Sequence, residues 1–327
     1  MLRDILGGKD PQVVALGQVI AHVAPDVILL TSFDFDLGGH ALRAFADHLR
    51  GVGIDYPYAF TSHSNSGIAT GLDMNGDGWL GDADDAQGFG DFAGQGGMAV
   101  LSKLPILQDG VRDFSSMLWQ DFPDAQSPSS DGTLALQRLS SVAHWDIPIQ
   151  LPDLSVLRLF AFHAGTPAFG GDGDRNQNRN HDEVSFWQTY LDGRLAIQPT
   201  NDPFIVIGDA NLDPHDGLGR QSAIQNLLSD VRLRDLRPRS AGAAIASNAQ
   251  GGVNANQTGD PALDTADWPD ENGPGNLRVD YVLPSVKLNT GGAGVFWPAP
   301  TDPDAAVLQH DGVAASRHAL VWVDIVP

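Results

Sequence analysis

Phe204-Ile-Val-Ile-Gly-Asp209-Ala-Asn211 is a short apolar run that ends abruptly in Gly-Asp-x-Asn. Such a run reads as a buried strand, and a buried strand carries a carboxylate and an amide to its C-terminal tip on a rigid support. Gly-Asp turns close many strands, so this stretch alone defines no chemistry. Three others extend it. Phe160-Ala-Phe-His163 ends on an imidazole, Arg278-Val-Asp280-Tyr281-Val-Leu-Pro284 carries a carboxylate beside apolar residues, and Ser316-Arg317-His318-Ala-Leu-Val-Trp-Val-Asp-Ile starts its apolar run after a histidine. The polar groups therefore come in the order His, Asp-x-Asn, Asp-Tyr, His.

The chain has 327 residues and 42% apolar content, enough for one large core, and nothing requires a second domain. Its formal charge is −22, from 41 acidic and 19 basic residues, and the lysines are Lys9, Lys103 and Lys287 only. Proteins that grip nucleic acid without sequence preference do so through Lys and Arg on phosphates, so this balance disfavours a nucleic-acid partner. It suits an acidic surface kept soluble in salty or extracellular surroundings. There is no cysteine to report a redox compartment. No apolar run approaches the roughly 18 residues of a membrane span. Met1-Leu-Arg-Asp lacks the apolar stretch of a signal peptide.

Asp10-Pro11 predicts a helix start, continued by Val13, Leu16, Val19, Ile20 and Val23 at helical spacing and stopped by Pro25. Val27-Ile-Leu-Leu-Thr31 reads as a buried strand and residues 156–163 as another inner strand, and residues 204–208, 279–283 and 319–326 supply three more strands. Asn180 with Glu183 resembles a capping box opening a helix to about Asp192. Long polar, Gly-rich segments lie at roughly 63–97, 165–180 and 240–277. The last is expected to be a mobile lid or a surface insertion. His144-Trp145-Asp146 fits either core or pocket. One domain over 1–327 is the expectation.

The order of the polar motifs resembles the endonuclease/exonuclease/phosphatase family, the DNase I-like metal-dependent phosphoesterases. The resemblance covers nearly the whole chain. It implies a four-layer α/β sandwich, with two mixed sheets face to face, helices outside, and the active site at one edge. It also implies roles. Asp209 would orient or deprotonate the attacking water, with Asn211 beside it on phosphate or metal. His318 would be a base or metal ligand, His163 a phosphate-binding or general-acid imidazole, and Asp280 the group that orients a catalytic histidine. The cation implied at Asp209 and Asn211 is Mg²⁺ or Mn²⁺. Gly96-Gly-Met-Ala-Val-Leu-Ser102-Lys103-Leu-Pro105-Ile resembles a bacterial subgroup and reads as a structural strand and turn. Thr166-Pro167, Asp174-Arg175-Asn176 and Arg179-Asn180-His181-Asp182-Glu183 resemble it too. There Arg175 and Arg179 are candidates for anion binding, with a salt-bridged helix cap as the alternative.

The chain departs from the family pattern at three places. Where the family has a strand ending in Gln-Glu, this chain has Pro25-Asp-Val-Ile-Leu-Leu-Thr-Ser32-Phe33-Asp34. The family's Ser-Asp-His is Ser316-Arg317-His318 here. The family's first strand, ending in Asn, would fall before Met1, so either Met1 is internal to the natural protein or that strand is absent. Glu to Ser and Asp to Arg make the site more positive by about three units, comparable to a lost divalent cation. Arg317 is then expected to act as a phosphate clamp, since guanidinium binds phosphate bidentately. Alternatively Asp34 or Asp36 substitutes as a ligand, or the site is degenerate.

Asp73-Met-Asn75-Gly-Asp77-Gly78-Trp79-Leu-Gly81-Asp82-Ala-Asp84 matches an EF-hand-type loop. Asp73, Asn75 and Asp77 supply oxygens at positions 1, 3 and 5, Gly78 permits the turn, Trp79 offers its carbonyl and Asp84 closes the shell. With turn-like sequence before it, the loop reads as a structural calcium staple. Calcium at millimolar levels outside cells then points to a secreted or periplasmic protein, with the cytoplasm as alternative. The leading expectation is a phosphoesterase acting on a small phosphorylated substrate. The alternatives are a nuclease of the same family, or a calcium-stabilised binding protein that has lost catalysis. Oligomeric state is left open.

Overall fold

The structure, a computed structural model, describes residues 1–127, 132–169 and 174–326. Helices α1 (Leu2–Gly7) and α2 (Pro11–Val23) come first. Asp10 caps α2 by accepting from the backbone N–H of Gln12 and Val13, and Ala24 ends it in the left-handed conformation ahead of Pro25. Strand β1 (Val27–Leu30), helix α3 (His40–Gly51), and strands β2 (Tyr58–Phe60) and β3 (Ala99–Ser102) follow. The three strands form one antiparallel sheet in the order β1-β3-β2.

A second sheet is built from β4 (Arg112–Asp113), β5 (Ala143–Gln150), β6 (Val156–His163), β7 (Phe204–Asp209) and β10 (Asp280–Pro284), ordered β10-β7-β6-β5-β4. Only β6 and β7 run parallel, and the crossover that this demands contains helix α4 (Arg175–Leu191). Side chains alternate along each strand between two cores. Phe160, Phe162, Phe204 and Val206 face Phe186, Trp187 and Tyr190 of α4 and Ile224 and Leu227 of α5 (Ser222–Leu228). Leu157, Leu159, Ala161 and Ile205 instead pack with Met98 and Val100, bringing β3 against the five-stranded sheet. Ala99 and Leu101 point the other way, onto Ile20, Phe45 and Leu49 of α2 and α3. The result is a mixed α/β fold with apolar contact on both faces of each sheet. His144 and Asp146 settle as core: His144 packs on Phe162 and Phe186, and Asp146 is ion-paired with buried Arg158 at 2.6 Å.

One expectation needs correction. Helix α4 begins at Arg175, so Asn180 and Glu183 sit inside it, buried, and cap nothing. Their polar ends reach neighbouring loops instead of the helix's own first turn. The 240–277 segment carries α6 (Ala241–Gln250) and strands β8 (Ala266–Asp267) and β9 (Asn276–Leu277). Ser240 caps α6 through the Ala243 N–H, and Thr265, Ala266 and Leu277 are buried.

Strands β11 (Asn289–Phe296) and β14 (Leu320–Val326) pair only with each other, and β12 (Gln309–His310) with β13 (Val313–Ala314). They do not join β1-β3-β2. Among the described residues, β1 and β14 each have one hydrogen-bonded neighbour strand, and Val27–Leu30 and Leu320–Val326 line the same cavity of about 1700 Å³. No helix among the described residues is long and apolar enough to cross a membrane.

Candidate active site

Backbone register brings the site together. Asp209, the last residue of β7, lies opposite His163, the last of β6, and opposite Asp280, the first of β10. His318 enters just before β14, and its neighbour Arg317 donates no ion pair to any described residue. The His318 Nδ1 lies 2.9 and 3.1 Å from the two Asp280 carboxylate oxygens and 3.9 Å from Asp209 Oδ2. His163 Nε2 is 3.4 Å from the same Asp209 oxygen. Asn211 adopts φ 48°, and this turn folds it back: its N–H reaches Asp209 Oδ1 at 2.8 Å, and its amide donates to the Ala164 carbonyl. One ligand atom each from Asp209, Asp280 and His318 falls within 4.8 Å of the others, the one such group of three among the described residues.

The electrostatics follow from burial. Asp209 is 3% exposed. Its carboxyl is pushed up, first by desolvation and then by Asp280, against the pull of His318. Desolvation opposes a charge on His318, but Asp280 and then Asp209 outweigh it and raise the imidazole to about 10. His163 goes the other way, lowered to about 4 by burial and by the charge on His318, and its Nδ1 is buried with no partner. A neutral His163 can hydrogen-bond a phosphoryl oxygen at neutral pH, but holds no spare proton there. His318, bound through Nδ1, is the protonated imidazole. Two carboxylates and an imidazole gathered this closely fit a hard or borderline divalent cation.

Residues outside the motifs hold these groups in place. The Thr265 hydroxyl donates to Asp280 Oδ2 at 2.8 Å, and the Thr265 Oγ1 accepts from the Val279 and Asp280 N–H groups. Its carbonyl takes the Ala319 N–H, Ala266 bridges to His318, and the Trp268 ring stands edge-on to His318 at 5.2 Å. On the other flank, Asn180 donates to the Gly165 and Ala210 carbonyls, each adjoining a site strand. Glu183 accepts from the N–H groups of Ser141 and Gly165 and from the Ser141 hydroxyl. The Asn180-x-x-Glu183 signal was visible in the sequence but pointed to a cap. Thr265 and Trp268 gave no signal beyond lying in a polar segment.

The remaining sequence candidates are placed differently. Arg179 is buried and donates to the carbonyls of Gln87, Arg138, Leu139 and Ser140, so it staples loops and is not an anion site. Arg175 donates to the Met74 carbonyl and Gln137. Asp34 accepts from the Gly96 N–H, and Asp36 caps α3 through His40 and Ala41. Ser32, Asp34, Arg317, Asp280 and His318 all line the large cavity, but Asp34 is outside the tight trio. Arg317 is exposed, and Asp280 pairs with His318 and Thr265. In the 73–84 loop, Asp73 accepts from Gly76, Asp77 and Gly78, and Asp77 from Trp79, giving tight Asx turns. The loop is closed by buried Asp85, which accepts from Met74 and Gly81, while Asp84 is exposed.

The profile of the Endonuclease/Exonuclease/phosphatase family matches residues 5–318, and the chain belongs to that family. A solved family protein from Beutenbergia cavernae DSM 12333 is 18% identical with a TM-score of 0.56. The match covers 96% of this chain, which spans 65% of the length of that one. A family protein from Leptotrichia buccalis C-1013-b is 17% identical, TM-score 0.51, over 96% of this chain and 92% of the other. The mannosyl-6-phosphatase of Bacteroides thetaiotaomicron VPI-5482 is 14% identical, TM-score 0.50, over 96% and 90%. No curated protein matches the sequence. Members of the family are hydrolases of phosphoester bonds, and this chain carries a candidate acidic and histidine cluster.

Two outcomes follow for the metal-free protein. The folded-state pKa of His318 lies above its ordinary value of about 6.5. Its charge therefore stabilises the fold fully below about pH 6.5, and the contribution fades as pH rises toward 10. In EDTA, wild type should melt above His318→Gln at pH 6, and the two should converge by about pH 10; parallel Tm curves would refute the assignment. Thr265→Val should lower kcat/KM about tenfold, the worth of one hydrogen bond to a charged group. It should also displace the pH profile, with Thr265→Ser restoring both; an unchanged profile would make Thr265 merely structural.

Proposed function

We propose that the chain hydrolyses a small phosphomonoester or phosphodiester by attack of water at phosphorus. The observation that carries this reading is the alignment of His163, Asp209 and Asp280 on three adjacent strands, with His318 hydrogen-bonded to Asp280. Asp209 sits where it can orient the attacking water, and Asn211, pinned by the Ala164 carbonyl, shapes the phosphate side. His163 contributes a neutral imidazole for a phosphoryl oxygen. Asp209, Asp280 and His318, the last after giving up its proton, would hold a Mg²⁺ or Mn²⁺ ion, with Asn211 alongside. Such an ion supplies charge neutralisation at phosphorus and lowers the pKa of water. Arg317, exposed beside His318, would clamp the phosphate where the family carries an acidic residue.

The four-layer sandwich remains our reading of the packed cores on the two faces of each sheet. The charge of −22 favours a small phosphorylated substrate over a nucleic acid. The mannosyl-6-phosphatase likeness is compatible with a sugar phosphate but comes at 14% identity.

Purified protein assayed on p-nitrophenyl phosphate and bis-p-nitrophenyl phosphate, with Mg²⁺, Mn²⁺ or EDTA, tests the reading. Asp209→Asn should cut kcat by at least about a hundredfold while leaving Tm in EDTA no lower, because it removes a buried like charge beside Asp280. Arg317→Ala should raise KM more than it lowers kcat. Absence of turnover on both esters with every metal would favour the binding protein that has lost catalysis.

We also read the 73–84 loop as a calcium staple of a secreted or periplasmic protein, with Asp73, Asn75, Asp77, the Trp79 carbonyl and Asp84 as ligands and Asp85 holding the loop closed. Calcium should quench or enhance the emission of exposed Trp79, and Asp77→Asn should abolish that response. If Asp77→Asn responds like wild type, neither the staple nor the localisation drawn from it stands.

A further inference from the structure

A second group of carboxylates lies away from the catalytic trio. Asp264, the residue before Thr265, is 6% exposed, and its Oδ2 is buried with no hydrogen-bond partner. It lines a cavity of about 300 Å³ with Asp213, Asp235, Asp260, Arg237 and Arg278.

The charges around this cavity are matched unequally. The Arg278 guanidinium is taken by Asp235 in a bidentate pair at 2.6 and 2.9 Å. Asp260 pairs with Arg239 at 2.6 Å. Buried Asp213 accepts backbone N–H groups from His215, Asp216 and Arg278 at 2.7, 2.9 and 2.8 Å, but it pairs with no cationic side chain among the described residues. Asp264 Oδ2 has neither a donor nor a counter-charge. A buried acceptor left unmade is costly, and in a folded protein it calls for a specific partner. Burial, and then Asp213, Asp216 and Asp260, push the Asp264 carboxyl up to about 8, and burial raises Asp213 as well. What Asp264 and Asp213 lack, among the described residues, is a cationic partner.

We propose that this cavity is a second cation site, in which Asp264 and Asp213 hold a hard divalent ion, calcium or magnesium. Carboxylate oxygens are the donors such ions prefer. The oxygens here do not close to within 4.8 Å in a set of three, as those of the catalytic trio do. The ion therefore keeps part of its water shell, and a cavity of about 300 Å³ has room for several waters at about 30 Å³ each. Arg237, exposed at the same cavity, is the natural competitor for the two carboxylates.

The position gives the site a consequence. Asp264 adjoins Thr265, whose hydroxyl holds Asp280, and Asp213 lies two residues beyond Asn211. An ion shared by Asp264 and Asp213 ties together the two segments that support Asp280 and Asp209, without touching substrate. The inference does not depend on the chain being a hydrolase.

Thermal melting of the full chain carrying Asp209→Asn and Asp77→Asn, which silence the trio and the 73–84 loop, isolates this site. Millimolar CaCl₂ or MgCl₂ against EDTA should raise Tm by about 5 °C, the scale of a ligand near a hundredfold above its Kd. Adding Asp264→Asn should raise Tm in EDTA, because the unpaired buried carboxylate is gone, and should erase the cation response. Asp264→Ser should erase the response as well, and Arg237→Ala should move the midpoint to lower cation concentration. No response to either cation in the parent, or an equal response in both Asp264 variants, would overturn the proposal.

Discussion

Strand β7 is hydrogen-bonded on both sides, to β6 in parallel and to β10 antiparallel, and the rest of the site depends on those two registers. A slip of one residue would turn Asp209 from its present face to the opposite one and separate it from His163 and Asp280 together. The register is defended by packing, since the same slip would also exchange the Phe162 and Val206 face for the Ala161 and Ile205 face. It is defended by sterics as well. At Gly208 an added Cβ would lie 2.0 Å from the Phe162 carbonyl, so only glycine lets β6 and β7 approach this closely just before Asp209.

Assembling the trio has an electrostatic cost. Two carboxylates converge at low exposure, and one positive imidazole does not fully compensate for both. The fold meets this with fixed dipoles and locked rotamers: Thr265 on Asp280, the Asn211 N–H on Asp209, and Trp268 against the His318 ring. These contacts come from loops and short strands, and Thr265 is itself tied by backbone hydrogen bonds to Leu277 of β9 and to Ala319. Such supports leave little freedom for reorganisation when charge develops on a substrate, which is what electrostatic catalysis requires.

The strand tips were legible in the sequence because a buried strand is a continuous apolar run and its end is marked by the first polar residue. His163 and Asp209, which end their strands, and Asp280 and His318, which precede their apolar runs, were found that way; α2 was found from its Asp10 cap, whereas the apolar run at β1 is a strand in which only Ile28 is buried. Asn180 and Glu183 were misplaced for a physical reason. A helix interior that buries polar residues looks, in one dimension, like a helix start, and only tertiary contact reveals that their partners are Gly165, Ala210 and Ser141. Arg179 misled in the same manner: a cation near a phosphate-type motif suggests an anion, but four carbonyls converge on it. The 240–277 segment was legible only in its composition. Its Gly, Asn and Pro content signalled irregular backbone correctly, but irregular backbone can still be held firmly, as Thr265 is.

Helix α4 also decides where the protein can change. Arg179, Asn180 and Glu183 occupy neighbouring positions on the helix and reach loops at 87, 138–141, 165 and 210. The loops that follow His163 and Asp209 are thereby tied to one rigid element. A substitution at one of these three helix positions would loosen several loops at once and disturb the strand tips behind them, without altering a single site residue.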